Sequence, residues 1–273
     1  MSQDESGIAV AVGSDGVQRI VIDRPGMGNS LSPLAREALT HAMERAHGDR
    51  EVRAVLLSST GTRHFCTGAG LASRPGGNGA QLADDRRPGD IARMLQQGWQ
   101  RLVGAILDCD KPVVAAVNGA AVGAGASVVL ACDIVVMSEN STLLEAFVHR
   151  GILPDAGAVH LLTRIVGLRK ATELLMLGEP LEAAACERLG LVNRVVPVEQ
   201  VDQAADALAV QLAAGPSVML ALTKRLLTVA SESGRDRSFE QEAWAAEVIS
   251  RTDDLQEGLR AFAERRPPHF RGR

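Results

Sequence analysis

The spacing of apolar and polar positions changes several times along the chain. Ile8–Val12 and Val17–Ile22 are short β-rich runs separated by Gly13-Ser14-Asp15-Gly16, which predicts a hairpin. Pro25 to Asn29 reads as a loop, and Ser32-Pro33 opens a helix with Ser as N-cap and Pro at the first helical position. Val52–Ser58 reads as a buried strand. Asp90 can cap a helix in which Ile91, Leu95, Leu102 and Ile106 keep roughly helical spacing. Pro112–Asn118 is a fully apolar strand, Gly119–Gly125 a glycine-rich turn, Ala126–Ala131 the start of a helix and Ile134–Met137 another strand. A further helix is expected at 158–166. This alternation predicts an α/β architecture. Near Pro197 the character changes: Val201, Ala205, Leu208 and Leu212, then Met219, Leu222, Leu226 and Val229, follow a helical period, and no strand signal appears from 200 to 265. Two regions are therefore expected, 1–197 and 198–273.

Composition narrows the class. With 29 Lys+Arg against 33 Asp+Glu the net charge is −4, and aromatic residues are 3% with no Tyr. Neither a basic stripe nor a base-stacking platform is available, so a nucleic-acid partner is not expected. The 46% hydrophobic content is ordinary for a globular chain of 273 residues. Ala120–Leu130 is interrupted by Gly and Ser and too short to span a bilayer. The polar start MSQDESG is unlike a signal peptide. The expectation is a cytoplasmic protein with no membrane partner. Cys66, Cys109, Cys132 and Cys186 form no CxxC pair and read as buried free thiols. No cluster has metal-ligand spacing. Residues 72–90, with four Gly, two Pro and no periodicity, read either as a mobile loop near an entrance or as a tolerated surface insertion.

Three segments could carry chemistry. His64-Phe65-Cys66-Thr67-Gly68-Ala69-Gly70-Leu71 and Asn118-Gly119-Ala120-Ala121-Val122-Gly123-Ala124-Gly125-Ala126-Ser127 both put small residues where a strand ends. Small residues let a ligand approach backbone N–H groups, and two such groups aimed at one point stabilise a developing oxyanion. Close packing of strand against helix explains either run equally well. The third segment runs from Glu145 through Phe147 to Pro154-Asp155-Ala156-Gly157. Asp155 in apolar surroundings can carry a raised pKa suited to proton transfer, or it can be a turn or N-cap residue before the next helix.

Taken together, in order and spacing, these segments resemble the enoyl-CoA hydratase/isomerase (crotonase) superfamily. FCTGAGL, KPVVAAVNGAAVGAGASVVLACDIV, GILPDAGAVHLL, RIVG and EAAACERLGLVNRVVP carry the resemblance, which extends from Ile22-Asp23-Arg24-Pro25 to the C-terminus. It implies a ββα spiral with a helical C-terminal segment that builds homotrimers, often paired as a dimer of trimers. It implies an acyl-CoA thioester substrate, so that coenzyme A enters as part of the substrate and no other cofactor is expected. The thioester oxygen would lie between the N–H groups of Ala69 and Ala124, with Gly68, Leu71 and Gly123 beside it. A backbone donor needs no particular side chain, so alanine at 124, where many members have glycine, is compatible; one such donor contributes about 3–4 kcal/mol.

The catalytic carboxylates of the family's hydratases match Ser127 and Phe147, which can do no carboxylate chemistry. Asp155 instead matches the aspartate of some isomerases and of the dehalogenase branch. The pattern most resembles the branch that isomerises the ring 1,2-epoxide of phenylacetyl-CoA, together with Δ3,Δ2-enoyl-CoA isomerases. The resemblance thus implies an isomerase with Asp155 as acid and base and Ser127 and Phe147 against the substrate. Gly70 stands where the family commonly has Asp. Glu145 either reaches the pocket from an extended strand or is a surface carboxylate. Arg24 and Lys224 are candidates for the CoA phosphates, with a plain surface role as the alternative. The basic C-terminus, from Arg260 to Arg273, is open between the same two readings. His64 and His149 read as ordinary surface or packing histidines.

Rival classes fit less well. A serine hydrolase elbow is absent around Ser127, and no Lys-Ser/Thr follows the glycines of a P-loop. A non-catalytic acyl-CoA-binding subunit, and decarboxylase, thioesterase or hydratase chemistry within the family, remain open.

Overall fold

A computed structural model describes residues 5–70 and 87–273. Most of the segment 72–90, expected as an entrance loop or a surface insertion, lies outside the described residues, as does Leu71. The hairpin forms as expected, β1 (Ile8–Val12) pairing antiparallel with β2 (Val17–Ile22). Ser32 caps α1 (Pro33–Gly48), its hydroxyl accepting the Ala35 N–H at 3.2 Å. The buried strand is β3 (Ala54–Ser59), followed by a short β4 (His64–Cys66). Asp90 is the first residue of α2 (Asp90–Gln97) rather than its cap. That position lets its carboxylate accept the Arg87 N–H at 2.8 Å. A break at Gly98 separates α2 from α3 (Trp99–Leu107).

The apolar run at 112–118 contains β5 (Val113–Val117), and the glycine-rich segment after it is more than a turn. It holds β6 (Ala120–Val122) and then α4 (Ala124–Leu130), starting two residues earlier than the spacing predicts. β7 (Ile134–Ser138) and β8 (Thr142–Leu144) follow. The helix expected at 158–166 is the first part of α5 (Ala158–Leu177), which breaks at Gly167 with φ 74°. β9 (Leu181–Glu182), α6 (Ala183–Arg188) and β10 (Arg194–Val196) complete this region.

Consecutive strands go to different sheets. One sheet has the order β1-β2-β3-β5-β7-β10 and the other β4-β6-β8-β9. From β2 onward the first sheet is parallel, as are β4, β6 and β8 in the second. Each turn of chain thus gives one strand to each sheet and then a helix, which is the ββα spiral. Strand β5 is apolar throughout because both its faces are covered. Val113, Ala115 and Val117 face the core shared with α1, α3 and α4, whereas Val114 and Ala116 face the other side. That outer face is covered by α7 (Val201–Ala213) through Val201, Ala205, Leu208 and Ala209. The helical region after Pro197 therefore begins with a helix that completes the sheet's packing. α8 (Ser217–Glu232), α9 (Arg235–Ile249) and α10 (Asp253–Glu264) follow. Among the described residues, no single helix is long and apolar enough to cross a membrane.

Candidate active site

The loop after β4 and the start of α4 meet because two glycines allow their backbones to touch. A Cβ on Gly125 would stand 2.2 Å from the Cys66 carbonyl oxygen, and one on Gly119 would stand 2.6 Å from the backbone of Arg63 and His64. No side chain fits either gap, so glycine sets how closely β4 approaches β6 and α4. Gly68 has φ +76°, and a Cβ there would stand 3.1 Å from the Val122 oxygen and 3.4 Å from the Ala124 nitrogen. The turn carrying Ala69 therefore runs directly against the first residue of α4.

Hydrogen bonds fix both halves. Leu31 N–H donates to the Gly68 oxygen at 2.9 Å, and the Thr67 hydroxyl donates to Gly28 at 3.0 Å. Gly123 N–H donates to Leu144 at 2.7 Å, and the Gly123 oxygen accepts from Ala126 and Ser127. Among the described residues, the N–H groups of Ala69 and Ala124 have no such partner. Both residues line a cavity of about 590 Å³ together with Gly68, Gly123, Phe147 and Asp155. That volume suits a small organic ligand. Leu31, Met94, Leu95, Trp99, Val122, Ala146 and Ile152 make much of the wall apolar, while Arg36 and Arg150 add charge.

Asp155 enters this wall from the loop before α5, between Pro154 and Ala156, whose φ is +52°. Burial raises its pKa above the usual carboxylate value, and Arg36 opposes that shift. Its backbone oxygen accepts the Ala158 N–H at 3.0 Å, so a turn role and a cavity position coexist. Glu145 is neither a surface carboxylate nor part of the cavity wall. It is 2% exposed, and neither carboxyl oxygen has a hydrogen-bond partner among the described residues. Burial pushes its pKa up to about 8, and the neighbouring Asp155 pushes the same way.

Other expected site residues lie elsewhere. Ser127 is fully buried inside α4, away from the cavity wall, with its hydroxyl unpartnered among the described residues. Helical periodicity turns it into the core. Arg24 stays outside the wall but braces its rim, donating to the Ser30 oxygen at 2.8 Å. Lys224 is not brought to the cavity: its ammonium donates to Asp133 at 2.8 Å and to the Ile106 oxygen at 3.0 Å, joining α8 to the core. In the basic C-terminus, Arg266 is bridged to Glu257 at 2.6 Å. His149 shares a 2.7 Å hydrogen bond with the Gly178 oxygen, a packing role.

Sequence reasoning missed Arg36, Trp99 and Asn29. Asn29 is buried with φ +52°, and its amide donates to the oxygens of Thr60 at 2.9 Å and His64 at 2.7 Å, holding the rim loop in place. A polar residue beside Gly28 was the available signal. Among the described residues, no group of three His, Cys, Asp or Glu side chains is arranged to hold a metal ion.

A family model described as enoyl-CoA hydratase/isomerase matches residues 13–273. A probable enoyl-CoA hydratase of Rhodobacter capsulatus is 36% identical over 260 residues, covering 95% of this chain and 96% of that protein. A 1,2-epoxyphenylacetyl-CoA isomerase of Escherichia coli is 31% identical, covering 94% of this chain and 96% of that protein. The crystal structure of an enoyl-CoA hydratase from Bacillus anthracis superposes with a TM-score of 0.89 at 29% identity, covering 98% of this chain and 100% of that one.

Proposed function

The chain belongs to the enoyl-CoA hydratase/isomerase family and has its crotonase fold, and within that family we propose that it moves a proton along an acyl-CoA rather than adding water. The observation that carries this reading is the cavity's content. Asp155 lines it beside two backbone N–H groups that have no partner among the described residues, while Phe147 and the core residue Ser127, which the resemblance matches to the glutamates of hydratases, offer no carboxylate.

The Asp155 carboxylate takes a proton from the α-carbon of a 3-enoyl thioester and becomes a carboxylic acid. The electron pair passes into a dienolate whose oxygen accepts from Ala69 and Ala124 N–H. Asp155 then returns the proton to the γ-carbon, leaving a 2-enoyl thioester of unchanged mass. A carboxyl with a raised pKa suits both halves of this exchange. Phe147 and Trp99 in the wall favour a bulky or aromatic acyl group, and ring rearrangement of an epoxide of phenylacetyl-CoA is the corresponding aromatic reaction. Base, acid and oxyanion donors all come from the protein, so no cofactor beyond the substrate's own CoA is required. The assembly we propose is a homotrimer or a dimer of trimers. Trp244 at 64% and Phe262 at 86% exposed on α9 and α10 support it, because large apolar side chains left in water mark contact surfaces.

The test offers a 3-enoyl-CoA, a 2-enoyl-CoA and a CoA epoxide of phenylacetate to the protein and to Asp155→Asn, with product analysis by mass. Rearrangement without mass change, lost about 10²–10⁴-fold in the variant, is the expected result. Equal hydration of 2-enoyl-CoA by both proteins overturns the assignment. Binding without turnover of any substrate returns the chain to the non-catalytic class.

A further inference from the structure

Two charged groups in the cavity wall, Arg36 and Arg150, have no role in the chemistry above. Arg36 projects from α1, and its guanidinium carbon lies 5.6 Å from the centre of the Trp99 ring, within cation–π range. A Cβ on Gly98 would stand 2.9 Å from that same carbon, so the guanidinium fills a slot at the break between α2 and α3. The slot gives it packing but, among the described residues, no salt-bridge partner. Its Nε has no hydrogen-bond partner among the described residues. Its helix neighbour Glu37 is taken up by Arg101 at 2.7 Å and His41 at 3.0 Å. Arg36 and Asp155 line the same cavity, and no ion pair within 4.0 Å joins them. The two groups therefore share one cavity without a direct ion pair.

We propose that Arg36 is a positioning residue for Asp155: held in the slot between Gly98 and Trp99, it supplies the positive field that keeps Asp155 a carboxylate in the free enzyme, ready to act as the base. This rests on the reading of Asp155 as acid and base. Among the described residues, three ionisable groups either act on Asp155 or share its cavity. Glu145, from the end of β8, carries a second carboxyl on the core side, and Arg150 lines the cavity with one N–H group donating to the Ala146 oxygen at 3.2 Å. Arg36 is the third, and its field is the one that lowers the pKa of Asp155 against the effect of burial. Burial lowers the guanidinium's own pKa as well, yet an arginine remains charged at any working pH. Without Arg36, desolvation is unopposed and the carboxyl holds its proton to higher pH.

The experiment compares Arg36→Met, Arg36→Gln and Arg36→Lys with the unaltered protein by two readouts. One is the acid limb of kcat/KM for the double-bond shift, which reports the free enzyme's base. The other is NMR titration of isotope-labelled aspartate carboxyls without substrate, with Asp155→Asn identifying the resonance. In Arg36→Met the limb and the titration should both move up by about one pH unit, a tenfold loss of kcat/KM on the acid side. Arg36→Lys, which keeps the charge, should hold the limb near its original position. Arg36→Gln serves where the Met variant does not fold. A uniform drop across all pH values, with both midpoints in place, overturns the inference and leaves Arg36 as packing. If Asp155→Asn turns over normally, the base assignment falls instead, and the substrate-free titration still decides whether Arg36 acts on Asp155.

Discussion

A carboxyl group taken out of water loses its charge before it loses its place, and Glu145 shows the consequence. Its pKa rises from 4.5 to about 8 because burial disfavours the carboxylate and Asp155 adds repulsion. A folded-state pKa above the unfolded one means that the native state binds the extra proton between the two values. Stability from this group is therefore full below about pH 4.5 and declines as pH rises towards 8. Glu145→Gln should remove that decline. Its melting temperature should gain on the unaltered protein between about pH 5 and pH 8, as read by thermal unfolding across that range. A constant difference across the range would mean that the carboxyl is not held neutral. Nothing in the spacing of apolar residues indicated this burial, because Glu145 follows a three-residue strand too short to show alternation.

Among the elements, the junction of β4 with α4 decides whether the two N–H groups face one point. Gly125→Ala would press a methyl group onto the Cys66 oxygen, where only 2.2 Å is available. The expected result is a loss of about 1–3 kcal/mol in stability from overpacking and a fall of about 10²-fold in kcat from a misplaced donor. Denaturant unfolding and steady-state kinetics check the two effects separately, and an unchanged kcat would detach the junction from the chemistry. This junction was legible in the sequence only as small residues at the ends of two strands, which fit close packing and exposed backbone donors equally well, and Gly119 and Gly125 serve the packing. β6 was not, because three residues between glycines carry no period. Arg36 and Trp99 were legible only as members of helices. Which wall they complete depends on how α1 and α3 pack, and local spacing does not encode that.

Over the whole molecule, the spiral and the helical region are joined by polar ties that hydrophobic patterning does not reveal. Arg53, just before β3, donates to the Gly215 oxygen at 2.7 Å, the Ser217 hydroxyl at 3.1 Å and the Phe270 oxygen at 3.2 Å. It thus fastens both the start of α8 and the C-terminal tail to the first sheet. Arg53→Met would leave these acceptors without a donor, at a cost of about 1–3 kcal/mol. Limited proteolysis should then release the tail beyond α10 faster than in the unaltered protein, and equal rates would show that apolar packing alone holds it. The change of composition near Pro197 was visible in the sequence. That α7 completes the first sheet was not, because its apolar stripe fits a sheet face or another helix equally well.

In the proposed reaction Asp155 carries a proton between carbons while water stays out. The most direct measurement follows a 3-enoyl-CoA with the protein in a mixture of deuterium oxide and heavy-oxygen water, with the acyl product read by mass spectrometry and Asp155→Asn alongside. The expected outcome is a 2-enoyl product carrying no heavy oxygen, deuterium at most at the carbons that exchange protons, and a rate at least about 10²-fold lower in the variant. Heavy oxygen in a hydroxyacyl product, formed equally fast by both proteins, would contradict it.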